Sequence, residues 1–208
     1  MPESFAEYSD EELVAMVRES DMAAFREIYS RYYSALCRYV WYRLAPADMV
    51  EDLVQELFVR LWNHRKKLKV RHSFRSYIYR TGHNLVVDYF RKKKPVYTVA
   101  NPDTFSGGPA FHETAAAERI DLIRAMSGLS DKLKTAVILY YFEGLTYREI
   151  AETCGVTVKA VEKRLHSAVR HLRRGMRSGS RAGRSLAVKP AEQPERNADD
   201  HDGAAARQ

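Results

Sequence analysis

Nothing in this sequence approaches the roughly 20 consecutive apolar residues that a membrane-spanning helix needs, so insertion into a bilayer is not expected. The opening residues, MPESFAEYSDEE, are acidic and hold no apolar segment of the secretory kind, and the expected compartment is the cytoplasm. Cysteine is scarce. Cys37 and Cys154 are far apart, and each sits beside apolar residues in a helical pattern. That excludes a disulfide framework and any CxxC or Cys/His cluster with metal-ligand spacing. The pair reads as small buried hydrophobes in a reducing compartment. Proline is sparse at 7 and glycine modest at 10, so most of the 208 residues are free to fold. A phosphate-cradling loop, a Ser/His/Asp set and a metal-ligand spacing are all missing, so no catalytic residue, metal or cofactor is expected.

What is present is positive charge, and it is unevenly placed. The formal net charge is +7. Residues 63–94 hold eleven Lys/Arg against one acid, Asp88, and residues 157–177 hold seven against one acid, Glu162. These islands carry +10 and +6, which leaves −9 for the remainder. Two positive islands on a negative body suit two footprints on a phosphate backbone. A pair of solvated helix faces is the plainer alternative.

Periodicity predicts an all-α chain in two blocks. In the first, residues 9–94, Ser9-Asp10-Glu11-Glu12 has the form of a capping box opening a short helix. A second helix is expected from about Asp21, with Phe25, Ile28, Tyr32, Leu36 and Val40 on one face. Pro46 suits the first turn of a third, whose apolar stripe is Val50, Leu53, Val54, Leu57, Phe58, Leu61 and Trp62. A fourth runs from about Ser73 into Arg91-Lys92-Lys93-Lys94, and Pro95 ends it. Residues 95–116 break every period, with three prolines and Gly107-Gly108, and read as a flexible linker. Residues 117–176 are helical again. Residues 177–208 are small, polar and charged without pattern, and read as a disordered tail.

The sharpest motif is GLTYREIAETCGVTVKAVEKRLHSAVRHLRR, Gly144 to Arg174. Thr146 can cap a short helix that buries Ile150, Ala151 and Cys154, and Gly155 can take the left-handed conformation that ends it. Thr157 caps a second helix expected to bury Val158, Val161, Leu165, Val169 and Leu172. Two helices joined by so short a turn form a helix-turn-helix, whose second helix enters the major groove N-terminus first. Its outward face carries Lys159, Glu162, Lys163, Arg164, His166, Ser167 and Arg170, with Thr157 at the tip. Arg and Lys there can read guanine, and Glu can accept from cytosine. A helical hairpin with a solvated basic face is the alternative.

Two further constellations are less specific. Asp48, Glu51, Asp52 and Glu56 are four acids with no base among them, and Asp48, Asp52, Gln55 and, one step aside, Glu51 share one flank of the third helix, which on spacing alone is solvated surface. Phe74 to Asn84 interleaves basic and aromatic residues and continues to Asp88 and the Arg91–Lys94 run. Such a mixture suits an unstacked strand, although Phe74, Tyr77 and Ile78 are better explained as core. His83, Asn84 and the lysines have no evident core role.

Taken together these segments resemble the extracytoplasmic-function group of the sigma-70 family, bacterial RNA polymerase initiation factors. Glu51-Asp52-Leu53-Val54-Gln55-Glu56-Leu57-Phe58 is similar to the family's DLVQE-type element. Phe74 to Asn84 matches its F-x-x-W-L-x-x-I-A-x-N spacing, with Asp88 and Arg91 at D-x-x-R spacing. The helix-turn-helix resembles its fourth conserved region. The chain departs from the pattern at Tyr77 in the tryptophan position, at Thr81 and Gly82, and in a short Lys67–Ser73 stretch.

The resemblance implies a helical region-2-like domain over 9–94 and a region-4-like domain over 117–176. It makes Asp48, Glu51, Asp52, Gln55 and Glu56 a surface for the polymerase beta-prime clamp, with the beta flap as a second contact. It assigns His83, Asn84, Asp88, Arg91, Lys92 and Lys93 to the promoter −10 element. It assigns Thr157, Lys159, Glu162, Lys163, Arg164, His166, Ser167 and Arg170 to the −35 element. The implied partners are core RNA polymerase, promoter DNA and an anti-sigma factor. Two rivals remain at this point: a helix-turn-helix regulator with palindromic sites and no polymerase contact, and an enzyme hosted by the N-terminal bundle.

Overall fold

The computed structural model describes residues 5–44, 47–70, 72–93, 126 and 128–177. Pro46, the linker 95–116, residues 117–125 and the tail from 178 onward lie outside the described residues, as do the side chains of Asp48 and Lys93. No strand occurs among the described residues.

The N-terminal half is built from four helices: α1 (Asp10–Arg18), α2 (Met22–Leu44), α3 (Ala47–Asn63) and α4 (Phe74–Lys93). Ser9 opens α1 with the predicted reciprocal box. The Glu12 N–H donates to Ser9 Oγ at 3.3 Å, and the Ser9 N–H donates to Glu12 Oε2 at 2.7 Å. The Asp21 carboxylate performs the same office for α2, accepting from the Ala23 and Ala24 N–H groups at 2.7 and 3.1 Å. Ile28, Tyr32, Leu36 and Val40 are buried as their spacing predicts, whereas Phe25 is only half-buried. Over Tyr39–Leu44 the amphipathic pattern stops and every residue is buried. That end of α2 is covered on two sides, by the N-terminal helices and by the C-terminal half, whose Phe142 ring lies 4.7 Å from that of Tyr42.

The C-terminal half comprises α5 (Asp131–Val137), a π-helical turn (Ile138–Phe142), α6 (Tyr147–Cys154) and α7 (Val158–Arg177). The π turn is closed by the Glu143 N–H donating to the Ile138 carbonyl at 3.1 Å. Gly144 follows with φ +62, a conformation that suits a residue without Cβ.

The two halves pack against each other, with α4 lying on α6, and their buried apolar residues form one continuous cluster. Sequence patterning predicts two joined domains; it does not predict this docking. Cys37 is buried as expected, and burial pushes its thiol up to about 11. Cys154 is only half-buried.

Candidate nucleic-acid interface

The helix-turn-helix is assembled by local chemistry. Thr146 caps α6 with a second reciprocal box: the Glu149 N–H donates to Thr146 Oγ1 at 3.2 Å, and the Thr146 N–H donates to Glu149 Oε2 at 2.8 Å. Gly155 ends α6 at φ 64, ψ 41, the left-handed conformation required for the turn. Thr157 then caps α7, its Oγ1 accepting from the Ala160 N–H at 3.2 Å. Val161, Leu165, Ala168 and Leu172 seat α7 on the core. Two of the expected apolar contacts differ. Val169 is half-buried, and Val158 is 45% exposed. Val158 instead lines the open cleft beside α4.

On the opposite side Thr157, Lys159, Glu162, Lys163, His166 and Arg170 are exposed together, a mixed charged face on one helix. Ser167 and Arg164 are half-buried. Arg164 turns toward the other half: its charge acts on both Cys154 and His83.

On α4 the expected −10 residues divide. Asn84 and Lys92 are exposed, and Arg91 makes an exposed 3.1 Å pair with Asp88. His83 corrects the expectation that it has no packing role. Its Nδ1 meets the Tyr39 hydroxyl at 3.0 Å, and burial lowers its pKa to about 4, assisted by Arg43 and Arg164. Phe74 and Ile78 are fully buried and Tyr77 half-buried, which favours the core reading of that triplet. Between α4 and the C-terminal half lies a cleft of about 710 Å³, with Tyr77, Arg80 and Asn84 on one wall and Arg148, Glu152 and Thr157 on the other.

On α3, Glu51, Asp52, Gln55 and Glu56 are all exposed, as their spacing predicts, and Glu56 pairs with Arg60 one turn on. Beside them runs a feature that sequence reasoning missed. An apolar groove of about 330 Å³ is formed by Met22, Phe25, Tyr29, Phe58, Val59 and Trp62, with Gln55 on its rim. Val59 is 58% exposed and Met22 46%. The available signal was Val59 itself, an apolar residue off the buried stripe of α3.

A second missed feature joins the halves. Glu143, whose side chain is 1% exposed, accepts a forked pair from Arg38: Nε to Oε1 at 2.8 Å and Nη2 to Oε2 at 2.7 Å. The Tyr79 hydroxyl also donates to Oε2 at 2.7 Å. Arg75 donates to the Glu143 and Gly144 carbonyls. The hydrogen bond to Glu143 raises the Arg38 pKa, while burial, then Glu143, pushes the Tyr79 phenol up. Arg43 and Asp131 make a further ion pair at 3.6 Å, and so do His72 and Glu152 when the imidazole is protonated.

No cluster of three or more His, Cys, Asp or Glu side chains able to hold a metal occurs among the described residues. None of the described helices is long and apolar enough to cross a membrane.

Comparison with known proteins gives two family matches in order along the chain. Residues 28–96 match the model described as Sigma-70 region 2, and residues 119–172 match Sigma-70, region 4. The chain is similar to the ECF RNA polymerase sigma factor SigW of Bacillus subtilis, with 25% identity over 177 residues, covering 79% of this chain and 95% of that protein. It is 28% identical over 159 residues to the ECF RNA polymerase sigma factor SigL of Mycobacterium tuberculosis, covering 74% and 89% of the two. In fold it is similar to CnrH, solved in complex with the cytosolic domain of CnrY, with TM-score 0.65, 23% identity and coverage of 82% and 99%. It is also similar to RpoE of Bartonella quintana, solved with the anti-sigma factor NepR, with TM-score 0.62, 19% identity and coverage of 75% and 98%.

Proposed function

The chain belongs to the extracytoplasmic-function group of the sigma-70 family and is an RNA polymerase sigma factor, and from that premise we propose how its surfaces divide the work. It binds core polymerase and directs it to promoters in transcription initiation, and it acts in the cytoplasm by binding, without a catalytic residue of its own. Residues 9–94 form the unit for core polymerase and the −10 element, and residues 117–176 the unit for the −35 element. An anti-sigma factor is a further partner, in keeping with the complex in which the Bartonella protein was solved.

The observation that carries this reading is the α6–α7 unit: two capped helices, a left-handed Gly155 between them, and an exposed face of Lys159, Glu162, Lys163, His166 and Arg170. Such a face supplies donors for guanine and phosphate and one acceptor for cytosine. The α3 flank suits a protein partner. Its exposed carboxylates give electrostatic complementarity to a basic surface, and the adjoining aromatic groove supplies the desolvated anchor that tight interfaces need. The α4 residues Asn84, Arg91 and Lys92 offer polar and cationic contacts to an unstacked strand.

Run-off transcription with purified core polymerase on a pool of genomic promoter fragments tests the reading. Transcripts starting at a fixed distance from a shared pair of elements are expected. Failure to initiate, with binding of the protein alone to palindromic duplexes, would favour the simple regulator instead.

A further inference from the structure

The outward side of α7 is a stripe of unpartnered charge. At about 100° per residue, Lys159, Lys163, Arg170, Arg173 and Arg174 fall within roughly 100° of one another around the helix axis. All five are exposed, and so is Glu162 at the edge of the stripe. The apolar residues Val161, Leu165, Ala168 and Leu172 take the opposite side. Elsewhere Arg31, Arg38, Arg43, Arg60 and Arg91 each meet a carboxylate. Among the described residues, no member of α7 forms an ion pair. With histidine neutral the stripe carries a net +4, five cations against Glu162, and no described carboxylate answers it.

The chain holds a matching counter-charge a short way beyond the helix. Between Glu162 and Glu192 there is no acid at all. Residues 192–202 then hold five, Glu192, Glu195, Asp199, Asp200 and Asp202, against Arg196, a net of −4. These residues lie outside the described ones. We propose that residues 192–202 dock on the α7 stripe in the DNA-free protein and are displaced from it by DNA, as an intramolecular substitute for the phosphate backbone. This rests on the reading of the stripe as the DNA-contacting face. Charge and reach favour this occupant. The stripe and the segment match, +4 against −4. Arg177 lies about 27 Å from Lys159 at about 1.5 Å per helical residue, whereas the chain from Arg177 to Glu192 spans up to roughly 50 Å at about 3.3 Å per residue. The stretch between, residues 178–191, holds Arg181, Arg184 and Lys189 without an acid. It is repelled by the stripe while the segment beyond it is attracted. Exposed ion pairs are individually weak and screened by salt, so the contact holds through effective concentration rather than through any one pair. That weakness is what lets a duplex replace it.

Carbodiimide crosslinking and duplex binding of the full chain, without polymerase, test the docking. The reagent joins a carboxylate to an amine in direct contact, and Lys159 and Lys163 are the amines on the stripe. Crosslinks within one molecule from Lys159 or Lys163 to residues 192–202 are expected, and excess mixed-sequence duplex should abolish them. Salt at about 0.5 M should abolish them too, because it screens exposed charges. The second reading uses the chain with Glu192→Gln, Glu195→Gln, Asp199→Asn, Asp200→Asn and Asp202→Asn together. Its affinity for a short mixed-sequence duplex is expected to be about tenfold higher than that of the unaltered protein. A tethered segment at an effective concentration of about a millimolar competes in that proportion if its own affinity is on the order of 0.1 mM, as for non-specific phosphate contacts. An unchanged affinity overturns the proposal. A rise in affinity without the crosslink also overturns it, since that marks a general effect of net charge. A crosslink found only between molecules, distinguished by mixing labelled and unlabelled chains, overturns it in favour of association of two copies. Neither reading uses a promoter or polymerase, so a failure here is distinct from a failure of run-off transcription.

Discussion

The Tyr39 hydroxyl and Nδ1 of His83 meet at 3.0 Å across the α2–α4 contact, in surroundings that hold the imidazole neutral. Burial lowers its pKa from 6.5 to about 4, and Arg43 of α2 and Arg164 of α7 add to the effect. A histidine with a depressed pKa stabilises the folded, docked form fully above pH 6.5. As pH falls from 6.5 toward 4, the exposed form takes up the proton first and that stability is lost. The loss is limited to about 3 kcal/mol, because each tenfold change in proton affinity is worth about 1.4 kcal/mol. Denaturant midpoints should therefore fall between pH 7 and pH 5 in the unaltered protein. His83→Gln should flatten that slope, and an unchanged slope would show that His83 is not its source.

Gly82 sits in the interior of α4, where glycine costs roughly 1 kcal/mol against alanine. A Cβ there would lie 3.5 Å from both Leu36 Cδ2 and Leu57 Cδ1, an ordinary contact that requires no movement. Gly82→Ala should raise stability by about 0.5–1 kcal/mol in denaturant unfolding, through lower unfolded-chain entropy and a better-filled contact. A loss of stability would mean that α4 cannot accept the methyl group.

Gly155 calls for the opposite outcome. A Cβ there meets nothing within 4 Å, yet the residue sits at φ +64. Gly155→Ala should cost about 1–2 kcal/mol purely from the left-handed backbone. Gly155→Asn should recover part of it, because asparagine tolerates that region. Thermal unfolding of both variants separates this conformational cost from a packing one.

The contrast between these positions and the interface shows what was legible in the sequence. Ser9 with Glu12, and Thr146 with Glu149, announce their helices because a cap is satisfied by residues three apart. Ile28, Leu36, Val161 and Leu165 announce a buried face because periodicity is local. Arg38 and Glu143 announce nothing. Both are charged types that read as surface, and their pairing depends on how one half docks on the other. For the same reason His83 reads as free for DNA when only its neighbours in sequence are considered. Periodicity identifies which face is buried, not what buries it. Val158 marks a further limit, since it stands one turn before Val161 on the buried stripe of α7 and yet lines the open cleft beside α4.

The α3 flank yields a prediction about polymerase. Asp52→Lys with Gln55→Ala alters two exposed side chains and should leave the fold unchanged while weakening recovery of core polymerase in a pull-down. Val59→Asp, on the neighbouring groove, should do the same by placing a charge in a surface that docking would desolvate, at a cost of about 2 kcal/mol or more in affinity. Normal recovery with both variants would remove this face from the interface.

Lys163 and Arg164 are adjacent on α7 but differ in surroundings, and that difference yields separable outcomes. Lys163 is exposed and accessible to DNA. Arg164 is half-buried, and its charge bears on His83 and Cys154. If each reads a base in the polymerase complex, alanine at either should cost about 1–3 kcal/mol, concentrated at one position of the −35 element. A loss spread evenly over all sequences would mark a phosphate contact, with a shallower dependence on salt. Arg164→Ala should have a second effect that Lys163→Ala lacks. Removing a cation beside His83 should let the imidazole titrate closer to 6.5 in the folded protein. The gap between folded and unfolded pKa then narrows, so less stability is lost between pH 7 and pH 5 than in the unaltered protein. Promoter-variant binding with core polymerase reads the first effect, and unfolding across pH without polymerase reads the second. Identical behaviour of the two variants in both measurements would remove Arg164 from the contact between the halves.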